Sequence, residues 1–189
     1  MKRLLPAAMM ICLSAPALAT PVTFIIDNNH TNPSFSYSHF GFSVQTARFN
    51  KTSGKIVLDR AAKTGSVNVV IDTTSIDTIS PKLNEHLQKP DFFASAQYPT
   101  ATFQSTSVAF DGDTPVSITG NLTLKGVTKP VTLKVTGYKL GPNPLSKKDE
   151  IGANATATVK RSDFGLDLYA PGVSDEVVIS IAVEAAAPQ

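Results

Sequence analysis

The strongest constraint on this chain is a period of two. Val67, Val69 and Ile71 alternate with Asn68, Val70 and Asp72, and residues 177–184 keep the same period with the odd numbers apolar. Residues 101–110, 131–136 and 153–160 do likewise, with Thr the commonest outward partner. Side chains two apart share a face of a strand, and Thr suits a pleated, half-wet surface, so these runs predict β-strands. Ser53-Gly54, Thr64-Gly65, Asp111-Gly112-Asp113, Lys125-Gly126 and the Gly-Pro-Asn-Pro of 141–144 punctuate them as turns. Eight or nine short strands spaced this way mean a sandwich or a barrel.

Only one segment reads as helix. Ser80 can cap it, Pro81 suits its first position, Leu83 and Leu87 fall on one face, and Pro90 stops it. Asp91-Phe92-Phe93 reads as a second short turn whose rings need an apolar place. A lone helix against an all-β domain is expected to plug or lid one end. Residues 141–150 read as a long exposed hairpin loop, and 185–189 as a tail.

The first 19 residues have their own logic. Lys2 and Arg3 precede an apolar stretch to Leu18, and Ala17-Leu18-Ala19 supplies the small residues of a cleavage site. This predicts an export signal cut after Ala19, a periplasmic protein and a working domain of residues 20–189. The apolar run is too short to span a bilayer, so no transmembrane segment is expected. Cys12, Met1, Met9 and Met10 would leave with the signal, and the chain has no other sulfur. Thiolate metal sites, disulfides and Cys nucleophiles leave with them. Lys2 and Arg3 also account for the whole formal charge of +2. A neutral chain with three Arg has no electrostatic footprint for nucleic acid.

No residue pattern announces catalysis. His30, His39 and His86 lack the local spacing of a zinc motif, and no Ser is tied to a His and an acid. The expectation is no catalytic residue, no metal and no covalent cofactor. What stands out is aromatic supply: all ten Phe lie after residue 19. Inward rings usually fill a core, but a barrel of about eight strands can instead hold one ligand.

At this point a family resemblance emerges. Ile26-Asp27, His30, Phe35, His39, Gly41, Arg48-Phe49 and Gly54 resemble the opening of the YceI-like, polyisoprenoid-binding proteins of bacteria. So do residues 67–78, Glu85-His86-Leu87, Asp91-Phe92-Phe93, Tyr98-Pro99, Thr102-Phe103, the stretch 118–133 and Arg161 to Leu166. The resemblance implies an extended, eight-stranded, lipocalin-like antiparallel barrel around a bound isoprenoid, quinone-like or fatty lipid, in the periplasm and often dimeric. One place departs from it. Where family members often carry a Trp-Gly-Gly loop with a basic residue, residues 143–152 have no Trp and an acidic pair.

The expected apolar lining is Phe42, Phe49, Ile76, Leu87, Phe92, Phe93, Phe103 and Phe164. His39, Arg48 and Arg161 are the candidates for a ligand head group, since charged donors bind phosphate and quinone oxygens well. Two alternatives stay open: a small lipid-modifying enzyme using His39 and Asp77 as acid and base, and a solid, stress-related module without a ligand.

Overall fold

The computed structural model describes residues 20–188; the expected signal peptide lies outside the described residues. Eleven strands form one antiparallel sheet: β1 (Val22–Ile26), β2 (Asn32–His39), β3 (Ser43–Phe49), β4 (Thr52–Asp59), β5 (Thr64–Asp72), β6 (Ile76–Asp77), β7 (Thr100–Asp111), β8 (Thr114–Leu124), β9 (Val127–Pro142), β10 (Asp149–Lys160) and β11 (Glu176–Ala186). Among the described residues one α-helix, α1 (Pro81–Leu87), follows β6.

The pairing reduces these to eight barrel strands. β11 pairs with β1 through Ile25↔Ala186 and with β2 through Val178↔Ser36. β1 and β2 are therefore one bent strand. β3 and β4 form the next, since β3 pairs with β2 and β4 with β1. β5 and β6 form the third, pairing with β4 and β3. β7 to β11 continue as a meander, and β11 closes on β1. Closure pairs most of the sheet on both sides, removing edges that an open sheet of this size would have to protect; Ser43–Ala47 of β3, beyond the reach of β6, stay paired on one side only.

The three bends share one level of the barrel and are stitched together. Asp27 and Asp72 each cap a 3₁₀ turn, accepting from the backbone N–H of Asn29 and Thr74 at 2.9 Å. Thr52 N–H donates to Asn28 Oδ1 at 2.6 Å, and Lys51 N–H to Ser75 Oγ at 3.0 Å. Asp and Asn satisfy the local backbone groups that the interrupted ladder leaves over. Asp72 is the most engaged, also accepting from Thr74 Oγ1 at 2.6 Å and lying 3.7 Å from Lys51 Nζ. These contacts, the Thr74 hydroxyl first, hold its carboxyl below its ordinary value. A lowered acid contributes stability above the unfolded pKa, about 3.9, that is lost as pH falls through the folded value. Asp72→Ala is accordingly expected to cost about 1 kcal/mol at pH 7, roughly 2–4 °C in Tm. In thermal melts the deficit should disappear near pH 2; a deficit equal at both pH values would rule out this ionic cap.

Two sequence expectations change. Ser53-Gly54 is no turn: it lies inside β4, with Gly54 opposite Val69. The glycine is there because the strands close in on each other. A Cβ at Gly54 would stand 2.1 Å from the Asn68 carbonyl oxygen, and its φ is +144°. Gly54→Ala should cost about 2–3 kcal/mol, lowering Tm by roughly 5–10 °C; a shift below 2 °C would mean the backbones part easily. Residues 185–189 are not simply a tail either. Ala185 is 0% exposed, paired with Ile26 and Ile151. Its small side chain leaves room for both isoleucines.

Ser80 caps α1 by accepting from Leu83 N–H at 3.4 Å, with Pro81 in the first turn, as predicted. Seven residues cannot hold a helix in water by themselves. Leu87, buried in the core cluster that includes Phe49, Ile76, Phe93 and Phe164, fixes it over one end of the barrel. Beneath it, Phe35, Phe49 and Phe93 pack with ring centroids 5.5–6.0 Å apart. The opposite end is packed by Phe24, Ile26, Leu58, Ile151 and Ala185.

Candidate ligand site

The inner faces of the strands do not fill the barrel. A cavity of about 600 Å³ runs along it, from Ile26, Leu58 and Phe110 at the packed end to Leu83, His86 and Tyr169 at the helix end. Its wall is set by the period of two: Val67, Val69 and Ile71 from β5, and Val177, Ile179, Ile181 and Val183 from β11, all face it. Ile118, Leu122 and Ile181 lie deep inside the barrel yet are only half-buried. Close-packed interiors hold few voids larger than a water molecule, so partly uncovered inward side chains mean space. Its size falls within the 300–1,000 Å³ of small-molecule sites. This overturns the solid-barrel alternative.

Of the eight expected lining residues, Phe49, Leu87, Phe92, Phe93, Phe103 and Phe164 line the cavity. Phe42 does not; it is 90% exposed. In β3 the odd positions Gln45, Ala47 and Phe49 turn inward, which sends Phe42 and Val44 out. Ile76 is buried but packs in the core beside Phe49 rather than against the cavity. Phe103 lies over Gly120, where a Cβ would meet its ring at 2.5 Å.

The three head-group candidates separate. His39 lines the mouth, its ring edge-on to Phe40 at 4.8 Å. Arg48 is on the outer face, its guanidinium donating to Asp77 Oδ2 at 3.2 Å, and takes no part in the cavity. Arg161 lines the cavity but is mostly spent elsewhere. Its Nε donates to the Ser174 carbonyl at 2.9 Å, Nη1 to the carbonyls of Leu166 and Leu168, and Nη2 to Val173 at 2.8 Å. Four of a guanidinium's five N–H donors thus hold the chain that links β10 to β11.

The structure does not bring His39 and Asp77 together. Asp77 is outside the cavity wall, accepting from Ile79 N–H at 3.0 Å, Asn50 and Arg48. Those donors, the Ile79 amide first, lower its pKa, which suits an outer ion pair and not a general base. The three His do not converge on one point: His30 pairs with Asp27 at 2.7 Å on the bent level, away from His39 and His86 at the mouth.

Sequence reasoning missed Tyr37, which shares the inward parity of Phe35 and His39. Burial pushes its hydroxyl above the usual value, against the opposing charge of Arg161. It also missed Leu83, His86, Leu168 and Tyr169 at the mouth, where Phe92 and Tyr169 face one another at 6.4 Å. Thr52, in the wall at the level of the bends, has a buried hydroxyl with no partner among the described residues.

A closed eight-stranded barrel with an apolar lumen and one helix at its mouth is the architecture that the sequence resemblance implied. The YceI-like domain model matches residues 24–185. The chain belongs to the YceI-like family. Protein YceI of Escherichia coli O17:K52:H18 is 36% identical over 178 residues, covering 94% of this chain and 92% of that protein. Among solved structures, Burkholderia cenocepacia BcnA superposes with a TM-score of 0.72 at 26% identity, covering 84% of this chain and 98% of its own. A polyisoprenoid binding domain from Saccharophagus degradans, implicated in plant cell wall breakdown, matches with a TM-score of 0.66 at 20% identity, covering 88% and 99%, and shows the shared fold. Within this YceI-like barrel, residues 143–148 join β9 to β10 at the end opposite α1. The acidic pair therefore lies far from the mouth, and Glu150 is engaged by Asn143 Nδ2 at 2.6 Å.

Proposed function

We propose that this protein is exported to the periplasm and holds one long-chain amphiphile lengthwise in its barrel, without catalysis. The observation that carries the reading is the continuous apolar cavity of about 600 Å³ with its single helix-lidded mouth. Each buried CH₂ contributes about 0.8 kcal/mol, so an isoprenoid or acyl tail needs no specific contact for affinity, only enough wall to offset the cost of ordering it. The polyisoprenoid ligand of the Saccharophagus degradans domain, which has the same fold, fits this class.

The mouth narrows the head group. Tyr37, His39 and His86 offer one phenol and two imidazoles, and Arg161 has one N–H left. A quinone carbonyl or an alcohol matches that supply better than a diphosphate, which calls for several charged donors. No covalent cofactor is part of this proposal; the lipid itself is the bound group.

The test is native mass spectrometry of protein taken from its own periplasm, followed by organic extraction. A retained isoprenoid or fatty species is the expected result. Clean apo protein that also takes up neither a quinone nor a polyprenol would end the proposal.

A further inference from the structure

The mouth end of the barrel is chemically lopsided. Three stretches there, 38–47, 78–81 and 168–174, contain no Asp, Glu, Lys or Arg. They are neighbours in space. Phe40 N–H donates to the Gly172 carbonyl at 2.7 Å, and His39 bridges to Val173. β6 leaves β3 at Arg48↔Asp77, two residues before Ile79. From this charge-free side project the most exposed large apolar side chains of the mouth: Phe42 at 90%, Val44 at 72%, Ile79 at 95%, and Phe40 and Tyr169 at 54%.

The backbone works to present them. Phe40, Ile79 and Tyr169 have φ of +51°, +69° and +67°. A β-branched residue such as Ile rarely takes the left-handed region, so an exposed Ile held there by Asp77 Oδ1 is costly unless it meets something. The opposite end is built the other way. Its loops carry Asp59, Arg60 and Lys63, then Asp111 and Asp113, then Lys147, Lys148, Asp149 and Glu150. Among the described residues Leu145 is its one highly exposed large apolar side chain and stands alone among these charges, whereas the mouth gathers five on one side.

We infer that this charge-free rim docks onto the interface of an uncharged lipid bilayer, placing the cavity mouth against the membrane from which the ligand is taken up or to which it is returned. The inference rests on the lipid-binding reading above. The occupant follows from the charges: the Arg48–Asp77 pair beside Ile79 is already neutralised, so a protein partner held by ion pairs finds no free charge within these stretches, and an anionic surface no unpaired base. Loop-borne Phe, Val, Ile and Tyr instead match the headgroup–acyl boundary, where rings partition and no charge need be desolvated. The helix side of the rim, with Lys82, Glu85, Lys89 and Asp91, stays in water.

The test uses the chain from Thr20 to Gln189, which carries every described element, and flotation with phosphatidylcholine vesicles. Wild type should float, with the bound fraction changing less than about twofold between low and roughly 0.5 M salt, because no charges are involved. The double variant Phe42→Asp, Ile79→Asp should float about tenfold less or worse, since two charges would then enter the interface. Uptake of a fluorescent long-chain fatty acid in vesicle-free solution should be the same for both proteins within about twofold, as neither residue lines the cavity. Failure of wild type to float, or equal flotation of the variant, overturns the docking surface. So does a wild-type dimer that the variant dissociates in analytical ultracentrifugation without any vesicle binding, which would assign the rim to a second copy. Flotation lost in the variant while neither protein takes up the fatty acid sustains docking and ends the cavity reading instead.

Discussion

Ala153→Phe is expected to shorten the lipid that the barrel accepts. Ala153 faces the cavity from β10, between Tyr138 on one side and Val183 on the other. Among the alanines of the wall it is the one that is not fully buried, so a ring there enters empty space. The added ring has no polar atom to orphan, and filling a void avoids most of the 1–3 kcal/mol that overpacking a dense core costs. Tm should therefore move by no more than about 3 °C. Binding is another matter. A ring at Ala153 separates the mouth from the pocket bounded by Ile26, Leu58 and Phe110. Excluding about five methylenes from that depth removes roughly 4 kcal/mol, near a thousandfold in affinity. The loss should appear for long-chain probes and fade for short ones, in titrations with a fluorescent acyl series. Equal loss at every chain length would point to a distorted barrel, and no loss at any length would show that the ligand never reaches so deep.

That the cavity should extend so far was partly legible beforehand. The period of two put Val67, Val69 and Ile71 of β5, and the odd positions from Val177 to Val183 of β11, on one face each, because parity in a regular strand decides which face a side chain takes, but the expected lining included none of them. It failed at the ends. Phe42 follows a turn, and nothing in composition says on which parity β3 resumes after it. Ile76 is inward but sits behind other core side chains, a distinction of depth that periodicity does not contain. Arg48 and Asp77 both looked chemically promising in isolation; outward parity on paired strands turned them into an ion pair. Gly54 misled differently. It carries the composition of a turn, but the glycine is needed because the Asn68 carbonyl stands where a Cβ would be. Close approach between strands distant in sequence leaves no local mark. The helix was readable to its cap because Ser80, Pro81 and Pro90 act locally.

Arg161 shows how a functional-looking residue can act by holding the site's frame. Arg161→Ala should cost about 3–5 kcal/mol, the largest stability loss among these substitutions. Leu166, Leu168, Val173 and Ser174 all direct carbonyl oxygens at one guanidinium. Removing it leaves those oxygens unpaired in a half-buried setting, at about 1–3 kcal/mol for each one that water cannot reach. Tm should fall by roughly 6–15 °C. Arg161→Lys should recover little of it, because an ammonium on a flexible stem cannot match a planar fork reaching four acceptors. The same chain carries Tyr169 and the Gly172 carbonyl that receives Phe40 N–H. Its release should therefore also widen the mouth, raising the rate at which a bound fluorescent lipid leaves more than it weakens packing at Ile26 and Leu58. Calorimetry and stopped-flow release measured on the same preparations distinguish the two roles. If Arg161 served mainly as a head-group ligand, affinity would collapse with Tm nearly unchanged. A clamp predicts the reverse order: a large fall in Tm, and faster exchange of a lipid whose tail is still held.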